Sequence, residues 1–383
     1  MIKARLLAGL VAGVMLLSNA CSKPKAPGAW SLMDAGVGDA FTVANFVDDS
    51  NGWINGFTDR DYQPPDEAGA SNSITPKKVE AKPGKKPDDP LKANQGFEVL
   101  RTTDGGTTWT QIPNQFKYKI RSVWFVDTQR GWSLTIDRDI LHTADGGLTW
   151  TLQRKAGKIK LRLFGNLRQP EMEQPEQIDR IHFVDELHGW AWGGGRKDRY
   201  TEQPGTFLTT VDGGQNWNTI NYPFTQNVWS MFFLNSRIAW ASDADGGFYK
   251  TTDGGLNWVP SPGKMPETKF DSIFFLDENN GWVAGHSGRL AKTVDGGQTW
   301  AKIYDIRNEF KMRDIAFTDQ KHGWAVGDGG AILYTADGGS TWLDYSAAGV
   351  ADLKDVVLRG NRGWAVGLSG AVLRYDLNQV TSP

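Results

Sequence analysis

The sequence predicts an all-β protein in which one four-stranded antiparallel unit is repeated seven times. Three observations predict this fold. The motif T-x-D-G-G-x-x-W recurs six times, a second motif keeps a Phe and a Trp seven residues apart in six copies, and the 383 residues include 45 glycines and 17 tryptophans. Many glycines with regularly placed aromatic residues are typical of short strands joined by tight turns.

The first motif describes a tight turn followed by a short strand. Glycine supplies the positive φ that such a turn needs, and Asp and Thr side chains can hydrogen-bond to the backbone of their own turn. We therefore interpret its aspartates as structural rather than catalytic or metal-binding, and we expect the Trp to pack as core between adjacent sheets. The copies are "RTTDGGTTWT" (101–110), "HTADGGLTWT" (142–151), "TTVDGGQNWN" (209–218), "KTTDGGLNWV" (250–259), "KTVDGGQTWA" (292–301) and "YTADGGSTWL" (334–343), with aspartates Asp104, Asp145, Asp212, Asp253, Asp295 and Asp337.

The second motif marks the first two strands of each unit. Apolar alternation before its Phe predicts a strand, the Asp, Asn and Gly residues predict a turn, and the Trp opens a second strand. With a glycine hairpin such as "VAGHSGRLAKT" leading into the first motif, one unit has four strands in about 42 residues, the pattern of a β-propeller blade. The copies are "FVDDSNGW" (46–53), "FVDTQRGW" (125–132), "FVDELHGW" (183–190), "FLNSRIAW" (233–240), "FLDENNGW" (275–282), "FTDQKHGW" (317–324) and the shorter "LRGNRGW" (358–364).

The seventh blade lacks its fourth strand at the C-terminal end of the sequence, where "GWAVGLSGAVLRYDLNQVTSP" supplies only three. The segment "GAWSLMD" (28–34) has a lone Trp in the context of a fourth strand. We expect it to complete blade seven, with Trp30 in place of the turn-motif Trp, because ring closure removes open sheet edges. The alternative is an N-terminal tail outside the sheet. Residues 28–383 are thus predicted to form a single seven-bladed propeller.

The N-terminus predicts export. Lys3 and Arg5 precede the apolar run Leu6–Leu17, which is too short for a retained membrane helix, so residues 1–20 are interpreted as a signal peptide. Cys21 is the only cysteine, which excludes an intramolecular disulfide. Its setting resembles the lipobox of bacterial lipoproteins, which implies lipidation of Cys21, a tether at 21–27 and a membrane-anchored protein on the periplasmic or cell-envelope side. The alternative is cleavage after Ala20 and simple secretion.

Three insertions fall on one predicted rim of the ring, at 57–95, 154–178 and 196–205. Function tends to lie on variable loops carried by a rigid scaffold, so this rim is the candidate binding face. The first insertion has the composition of a segment outside the folded core. The second contains "RKAGKIKLRLFGNLR" (154–168), and the third adds Arg196, Lys197 and Arg199. We expect a basic, partly apolar loop that suits an acidic protein surface or lipid headgroups; the alternative is a solvated charged loop.

The same rim carries the starts of the innermost strands. Three basic side chains and one aromatic are expected to form a protein-binding patch beside the axis, with Asp271 as counter-charge. The alternative is that these side chains cap strands or pair with each other. Four positions before the Phe of the second motif, or before Leu358, stand Arg121, Trp229, Asp271, Arg313 and Lys354, and Arg180 stands one residue later in its own strand.

The turn motif is identified as the Asp-box, or BNR, repeat. Sialidases share this repeat, but their arginine triad, Tyr–Glu pair and acid cannot be assigned in this sequence. HExxH, GxSxG, CxxC and phosphate-loop patterns are absent from the sequence, and we expect no catalytic residue, metal or cofactor. A net charge of −2 does not favour nucleic acid as a partner.

The whole pattern resembles the photosystem II stability and assembly factors of plastids and cyanobacteria and their bacterial relatives. The resemblance covers about residues 30–377 and is strongest in "NNGWVAGHSGRLAKTVDGGQTW", "HGWAVGDGGAILYTADGGSTW" and "RGWAVGLSG". It implies a monomeric, non-catalytic, extracytoplasmic scaffold whose client is a protein, such as a nascent membrane-protein subunit. It also implies a basic patch near the axis, where Arg121, Arg313 and Lys354 fall and from which Trp229 and Asp271 depart. A second interpretation is a carbohydrate-active or carbohydrate-binding Asp-box propeller.

Overall fold

The structure is a computed structural model. It describes residues 29–35, 40–57, 98–112, 120–163, 172–197, 201–224, 226–262, 269–305, 311–346 and 349–376. The predicted signal peptide, Cys21, the tether at 21–27, Arg199 and nearly all of the 57–95 insertion lie outside the described residues.

Seven antiparallel sheets form a ring, which confirms the predicted seven-bladed β-propeller. Five of the sheets are meanders of four consecutive strands, because tight turns connect neighbouring antiparallel strands; blades three and seven also contain strands from elsewhere in the chain. Blades one to three consist of β2 (Ala40–Phe46), β3 (Gly52–Phe57), β4 (Glu98–Thr102) and β5 (Thr110–Gln111); β6 (Ile120–Phe125), β7 (Gly131–Thr135), β8 (Ile140–Thr143) and β9 (Thr151–Arg154); and β12 (Arg180–Phe183), β13 (Gly189–Lys197), β14 (Thr201–Thr210) and β15 (Asn218–Ile220). Blades four to seven consist of β16 (Val228–Phe233), β17 (Ala239–Asp243), β18 (Phe248–Thr251) and β19 (Val259–Pro260); β20 (Phe270–Phe275), β21 (Gly281–Gly285), β22 (Arg289–Thr293) and β23 (Ala301–Asp305); β24 (Met312–Phe317), β25 (Gly323–Gly327), β26 (Ala331–Thr335) and β27 (Leu343–Asp344); and β28 (Leu353–Arg359), β29 (Arg362–Gly367), β30 (Val372–Asp376) and β1 (Ala29–Met33).

The N-terminal strand closes the ring, as the sequence predicts. Strand β1 pairs antiparallel with β30, from Ala29 opposite Asp376 to Met33 opposite Val372. Trp30 packs edge-on against Trp324 of blade six at a ring-centroid distance of 5.4 Å. The two ends of the described chain therefore share one sheet, and the closing strand also packs against the neighbouring blade.

Six inter-blade stacks hold the ring together. In each, the fully buried Trp that opens strand two lies parallel to the Phe that ends strand one of the next blade. The ring-centroid distances are 3.7 Å for Trp53–Phe125, 3.5 Å for Trp132–Phe183, 4.1 Å for Trp190–Phe233, 3.6 Å for Trp240–Phe275, 3.8 Å for Trp282–Phe317 and 3.6 Å for Trp364–Phe46. The Asp-box tryptophans pack between adjacent sheets, as expected, but they are half-buried at the margin of the core and do not form its centre. Trp300, for example, is half-buried and meets Phe275 edge-on at 6.2 Å, because strand four lies at the outer edge of its blade.

The seam between blades six and seven differs from the other six. Blade seven has Leu358 in the Phe position, so Trp324 has no aromatic partner of that kind. An aromatic cluster replaces the stack: Trp324 lies 4.6 Å from Tyr334, 4.9 Å from Tyr375 and 5.8 Å from Tyr345, measured between ring centroids. The missing Phe is thus compensated by side chains from strands three and four.

The Asp-box is a turn held by its own side chains. In the first copy, Asp104 Oδ1 accepts the Thr102 hydroxyl at 2.8 Å and the Thr108 N–H at 2.9 Å, while the Thr108 hydroxyl donates to Oδ2 at 2.6 Å. Burial raises the pKa of Asp104, but these hydrogen bonds outweigh it and lower the pKa to about 2. The two glycines have φ of 71° and 86°, the region that favours glycine. The other five copies repeat the pattern.

Each Asp-box is also bonded to the preceding blade, a link that sequence reasoning missed. The buried Trp of that blade donates its indole N–H to the carbonyl of the first glycine. The Nε1–O distances are 2.9 Å for Trp364–Gly105, 3.1 Å for Trp53–Gly146, 3.0 Å for Trp132–Gly213, 2.8 Å for Trp190–Gly254, 2.8 Å for Trp240–Gly296 and 3.0 Å for Trp282–Gly338. One residue therefore supplies both the stacking and the hydrogen bond between blades.

Blade three has two additional strands, β10 (Lys158–Leu163) and β11 (Met172–Pro175). They form an antiparallel hairpin, and β10 also pairs with β14 at Arg162–Glu202 and Leu163–Thr201. The expectation of a loop over 154–178 is therefore wrong where the chain is described, and much of 196–205 extends β13 and β14 as a hairpin. The physical reason is that β15 covers β14 only at 207–209, so the remaining edge accepts another strand.

Candidate functional site

A β-bulge begins the innermost strand of nearly every blade. One residue is skipped in the pairing with strand two, and such a bulge redirects the side chain of the skipped residue. Five predicted positions are these skipped residues, and sequence reasoning missed a sixth, Thr42: the set is Thr42, Arg121, Trp229, Asp271, Arg313 and Lys354. In blade three, Arg180 pairs with Trp192, and Asp179 donates its N–H to the same Trp192 carbonyl at 2.8 Å. Asp179 therefore occupies the equivalent position. We call this end of the ring the bulge rim.

On blades six and seven the predicted basic side chains are paired with carboxylates. Arg313 makes a two-point contact with Asp328, at 2.7 Å from Nε and 3.1 Å from Nη2. Lys354 Nζ lies 3.4 Å from Asp328 and 3.1 Å from Asp352. Burial lowers the pKa of Arg313, but the hydrogen bond and charge of Asp328 outweigh it and raise the pKa overall. The carboxylates come from the turns between strands two and three and from the approach to β28.

On blades two and three a similar cluster surrounds Asp179. Its Oδ1 lies 3.0 Å from Arg121 Nη2 and 2.5 Å from Arg138 Nη1. Arg138 also donates to the Ile178 carbonyl at 3.0 Å, so it joins the turn of blade two to the start of blade three. The Arg180 side chain, in contrast, is exposed.

Trp229 is part of a chain of contacts across blades four to six. Its ring stacks on His286 with centroids 5.1 Å apart, and Lys269 Nζ lies 5.0 Å from its centroid. His286 Nε2 is 3.4 Å from Asp271 Oδ1, and Asp271 Oδ2 is 4.0 Å from Arg313 Nη1. The bulge residues of three successive blades are thus linked through side chains that lie on one rim.

These contacts change the character of the predicted patch. The sequence predicts a mainly basic surface, with pairing between these side chains as the alternative. In the structure the charges alternate, and each predicted basic residue at a bulge, Arg121, Arg313 and Lys354, lies beside a carboxylate. Sequence reasoning missed Arg138, His286 and Asp328. All three stand in turns between strands two and three, and the blade pattern already places those turns on this rim.

A carboxyl pair lies deeper, between the innermost strands of blades six, seven and one. Asp314 accepts the Ser272 hydroxyl at 2.5 Å and the Val356 N–H at 2.8 Å, and Asp355 accepts the Ala44 N–H at 2.7 Å. Burial, the charge of Asp355 and a hydrogen bond with Asp355 raise the pKa of Asp314 well above its usual range. Sequence reasoning did not identify these two carboxyl groups.

Two further predicted residues lie in the hairpin of β13 and β14. Arg196 and Lys197 stand at the end of β13, opposite Gln203 and Glu202. Among the described residues, no three His, Cys, Asp or Glu side chains are grouped so that they could hold a metal ion. In the described ranges no helix has the length and apolar character needed to cross a bilayer.

The fold and the Asp-box turns define a single seven-bladed Asp-box β-propeller. Residues 210–309 and 303–377, which cover blades four to six and the strands β28 to β30 of blade seven, match the family model of the photosynthesis system II assembly factor YCF48. Over these residues, the resemblance to photosystem II assembly factors that the sequence predicts is confirmed.

Solved structures with the same fold include members of that family and an enzyme. A structure of YCF48 bound to a D1 peptide is 18% identical with a TM-score of 0.64 and covers 91% of this chain and 96% of its own. YCF48 from Cyanidioschyzon merolae is 18% identical with a TM-score of 0.62, covering 91% and 99%. A streptogramin B lyase is 12% identical with a TM-score of 0.58, covering 91% and 98%. At these identities the structures show the fold alone. No curated protein matches the chain.

Proposed function

We propose that this protein is a non-catalytic scaffold that binds a polypeptide client on the bulge rim. The observation that carries the proposal is the linked network of Trp229, His286, Asp271, Arg313 and Lys354 across four blades. The network holds positive and negative side chains, and hydrogen-bond donors and acceptors, in fixed positions. Such a surface suits a polypeptide, which offers backbone amides together with charged side chains. The structure of YCF48 with a D1 peptide supports a protein client, and we extend this to a segment of a membrane-protein subunit during assembly.

The carboxyl pair argues against the glycosidase alternative. Retaining glycosidases hold their two carboxyl groups about 5 Å apart and inverting ones farther, so that sugar or water fits between them. Asp314 and Asp355 are hydrogen-bonded to each other and to the backbone of neighbouring blades. They leave no room for a glycosidic bond. Trp229 is also no open platform for a sugar ring, since His286 and Lys269 already contact it.

We also propose that the protein acts outside the cytoplasm and is tethered through Cys21. The support is the order of basic residues, apolar run and single cysteine at the N-terminus of the sequence. A tether places the scaffold near membrane-protein clients without a further recognition element.

Site-specific photo-crosslinking tests the binding face. A photoreactive residue is placed at Ile136 or Arg180, two exposed positions at the bulge rim, and at Thr110 on an outer strand as the matched control. After irradiation in cells of the source organism, we expect a protein adduct from Ile136 or Arg180 and none from Thr110. Adducts of equal yield from all three positions, or adducts from Thr110 alone, would contradict binding at the bulge rim. Adduct identification by mass spectrometry then names the client.

A further inference from the structure

The opposite end of the ring, which carries the Asp-boxes, has a row of exposed apolar side chains. Two positions in each Asp-box turn are variable: the residue between Thr and Asp, and the residue after the second Gly. On four consecutive blades, two to five, one of these two positions holds a large apolar residue, and the turn between strands one and two of blade three adds another. Their exposed fractions are 49% for Leu148, 63% for Val211, 56% for Leu256, 65% for Val294 and 46% for Leu187.

The other Asp-boxes do not share this feature. Blade one has Thr103 and Thr107 at the two positions, and blade six has Ala336 and Ser340. The remaining large apolar side chains that are exposed among the described residues, such as Leu32 and Val259, lie on outer strands or on the bulge rim. The five apolar side chains therefore occupy one arc of the rim, which we call the apolar arc. Clustered exposed apolar residues mark interaction sites more often than scattered ones.

The apolar arc is surrounded by carboxylates. Hydrogen bonds from the N–H and side chain of Asn216 lower the pKa of Asp212, and the other turn aspartates of these blades also have lowered pKa values, because bonds to their turns outweigh the effect of burial. They stay ionised at neutral pH. The basic residues of these blades at this rim include Arg130, which is paired with Asp127 and Glu186, Lys250, which donates to the Glu278 carbonyl, and the exposed Arg237. The carboxylates outnumber them. The carboxylates of the arc are Asp127, Asp145, Asp185, Glu186, Asp212, Asp253, Asp277, Glu278 and Asp295.

We propose that the apolar arc is a docking surface for a cationic amphipathic polypeptide segment of a partner. Charge complementarity selects this occupant, because a segment with both basic and apolar side chains satisfies the carboxylates and covers the Leu and Val side chains together. An anionic lipid surface would be repelled by the same carboxylates. This site is separate from the bulge rim and goes beyond the proposed function.

The turns that carry the apolar arc are rigid before any partner binds. Each is fixed internally by its Asp and Thr, and its first glycine carbonyl accepts the indole N–H of the preceding blade, as in Trp190–Gly254 at 2.8 Å and Trp240–Gly296 at 2.8 Å. Docking on such a surface loses little conformational entropy, which favours affinity.

The test measures binding of a fluorescently labelled amphipathic peptide of lysine and leucine by anisotropy. The variant combines Leu148→Thr, Val211→Thr, Leu256→Gln and Val294→Thr, which uses residues that the chain itself has at the equivalent positions of other Asp-boxes, so the fold is retained. We expect the wild type to bind the peptide with an affinity that falls as salt is added. The variant should bind at least about tenfold more weakly, since a few central apolar side chains dominate such interfaces.

A matched control makes the same change in polarity away from the apolar arc. The variant Leu32→Thr removes an exposed apolar side chain from the outer strand of blade seven and should bind the peptide as the wild type does. Absence of wild-type binding, an equal loss in both variants, or full affinity in the fourfold variant would overturn the proposal. Co-sedimentation with neutral phosphatidylcholine vesicles in place of peptide binding would also overturn it and assign the arc to lipid. The crosslinking outcome at Ile136 and Arg180 does not affect this test, so the two proposals fail separately.

Discussion

At the scale of single residues, the Asp314–Asp355 pair sets a pH dependence that the surface carboxylates do not share. The Asp314 side chain is held by Ser272 and Val356 with its pKa raised, so its protonated form is the one that the fold stabilises. A raised carboxyl pKa contributes stability that is present below the unfolded-state value, near 3.9, and is lost as the pH rises through the folded-state value. The charge that raises the pKa of Asp314 is that of Asp355.

We predict that Asp314→Asn raises the melting temperature at neutral pH. The amide is neutral at every pH, and it can accept the Val356 N–H and donate to Asp355. The gain over wild type should shrink as the pH falls toward the ordinary carboxyl range, where wild-type Asp314 is protonated. Thermal unfolding of both proteins at several pH values checks this. Asp271→Asn, which removes a carboxylate beside His286 and Arg313, is the control and should give no gain. A neutral-pH melting temperature below wild type for Asp314→Asn would contradict the interpretation.

The buried tryptophans are the second feature at residue scale. We predict that Trp282→Ala lowers the free energy of unfolding by about 3–5 kcal/mol, because it opens a cavity beside Phe317 and leaves the Gly338 carbonyl without its donor. Trp300→Ala should cost less, since that ring is half-buried. Trp282→Phe keeps an aromatic ring and loses only the hydrogen bond, so about 1 kcal/mol is expected. Urea unfolding measures all three variants, and an equal or larger loss for Trp300→Ala would contradict the assignment of the core.

At the scale of elements, the blades are predictable because the same strand and turn motifs recur in each of them. Counting back from the Phe of strand one placed Arg313 and Lys354 on one rim, and the structure has them there. Their pairing with Asp328 could not be predicted, because it depends on how a turn of blade six lies against the strand of blade seven. The β-bulges at the starts of the innermost strands could not be predicted either, since no residue pattern in the sequence shows which residue is skipped in the strand pairing.

Strands β10 and β11 show where local pattern and context conflict. The segment "KIKLRL" alternates basic and apolar residues as a strand does, but it lies outside the repeat, and its partners at 201 and 202 are distant in sequence. Only the unpaired edge of β14 determines where it docks. Glu176 then fixes the hairpin: its carboxylate pairs with Arg154 and accepts the Gly157 N–H at 2.8 Å.

At the scale of the whole molecule, attachment to a membrane can be tested by substituting a single residue, Cys21. We predict that Cys21→Ala moves the protein from the membrane fraction to the soluble fraction while its melting temperature stays the same, because Cys21 precedes the first strand of the propeller. Fractionation followed by immunoblotting measures this, and Ser22→Ala, one residue further along, is the matched control. Equal distribution of wild type and Cys21→Ala would indicate simple secretion instead.

Closure of blade seven by β1 also determines the order in which the molecule can be completed. The strand made first pairs with β30, which is made last, so the pairing of Trp30 with Tyr375 spans nearly the entire chain. Contacts between such distant residues form slowly, because closing a long loop costs entropy before the contacts contribute any stability. During synthesis, β1 must therefore wait unpaired while six blades form. An unpaired strand edge is a template for pairing with another chain, so a nascent or truncated chain that lacks β30 is open to aggregation through β1.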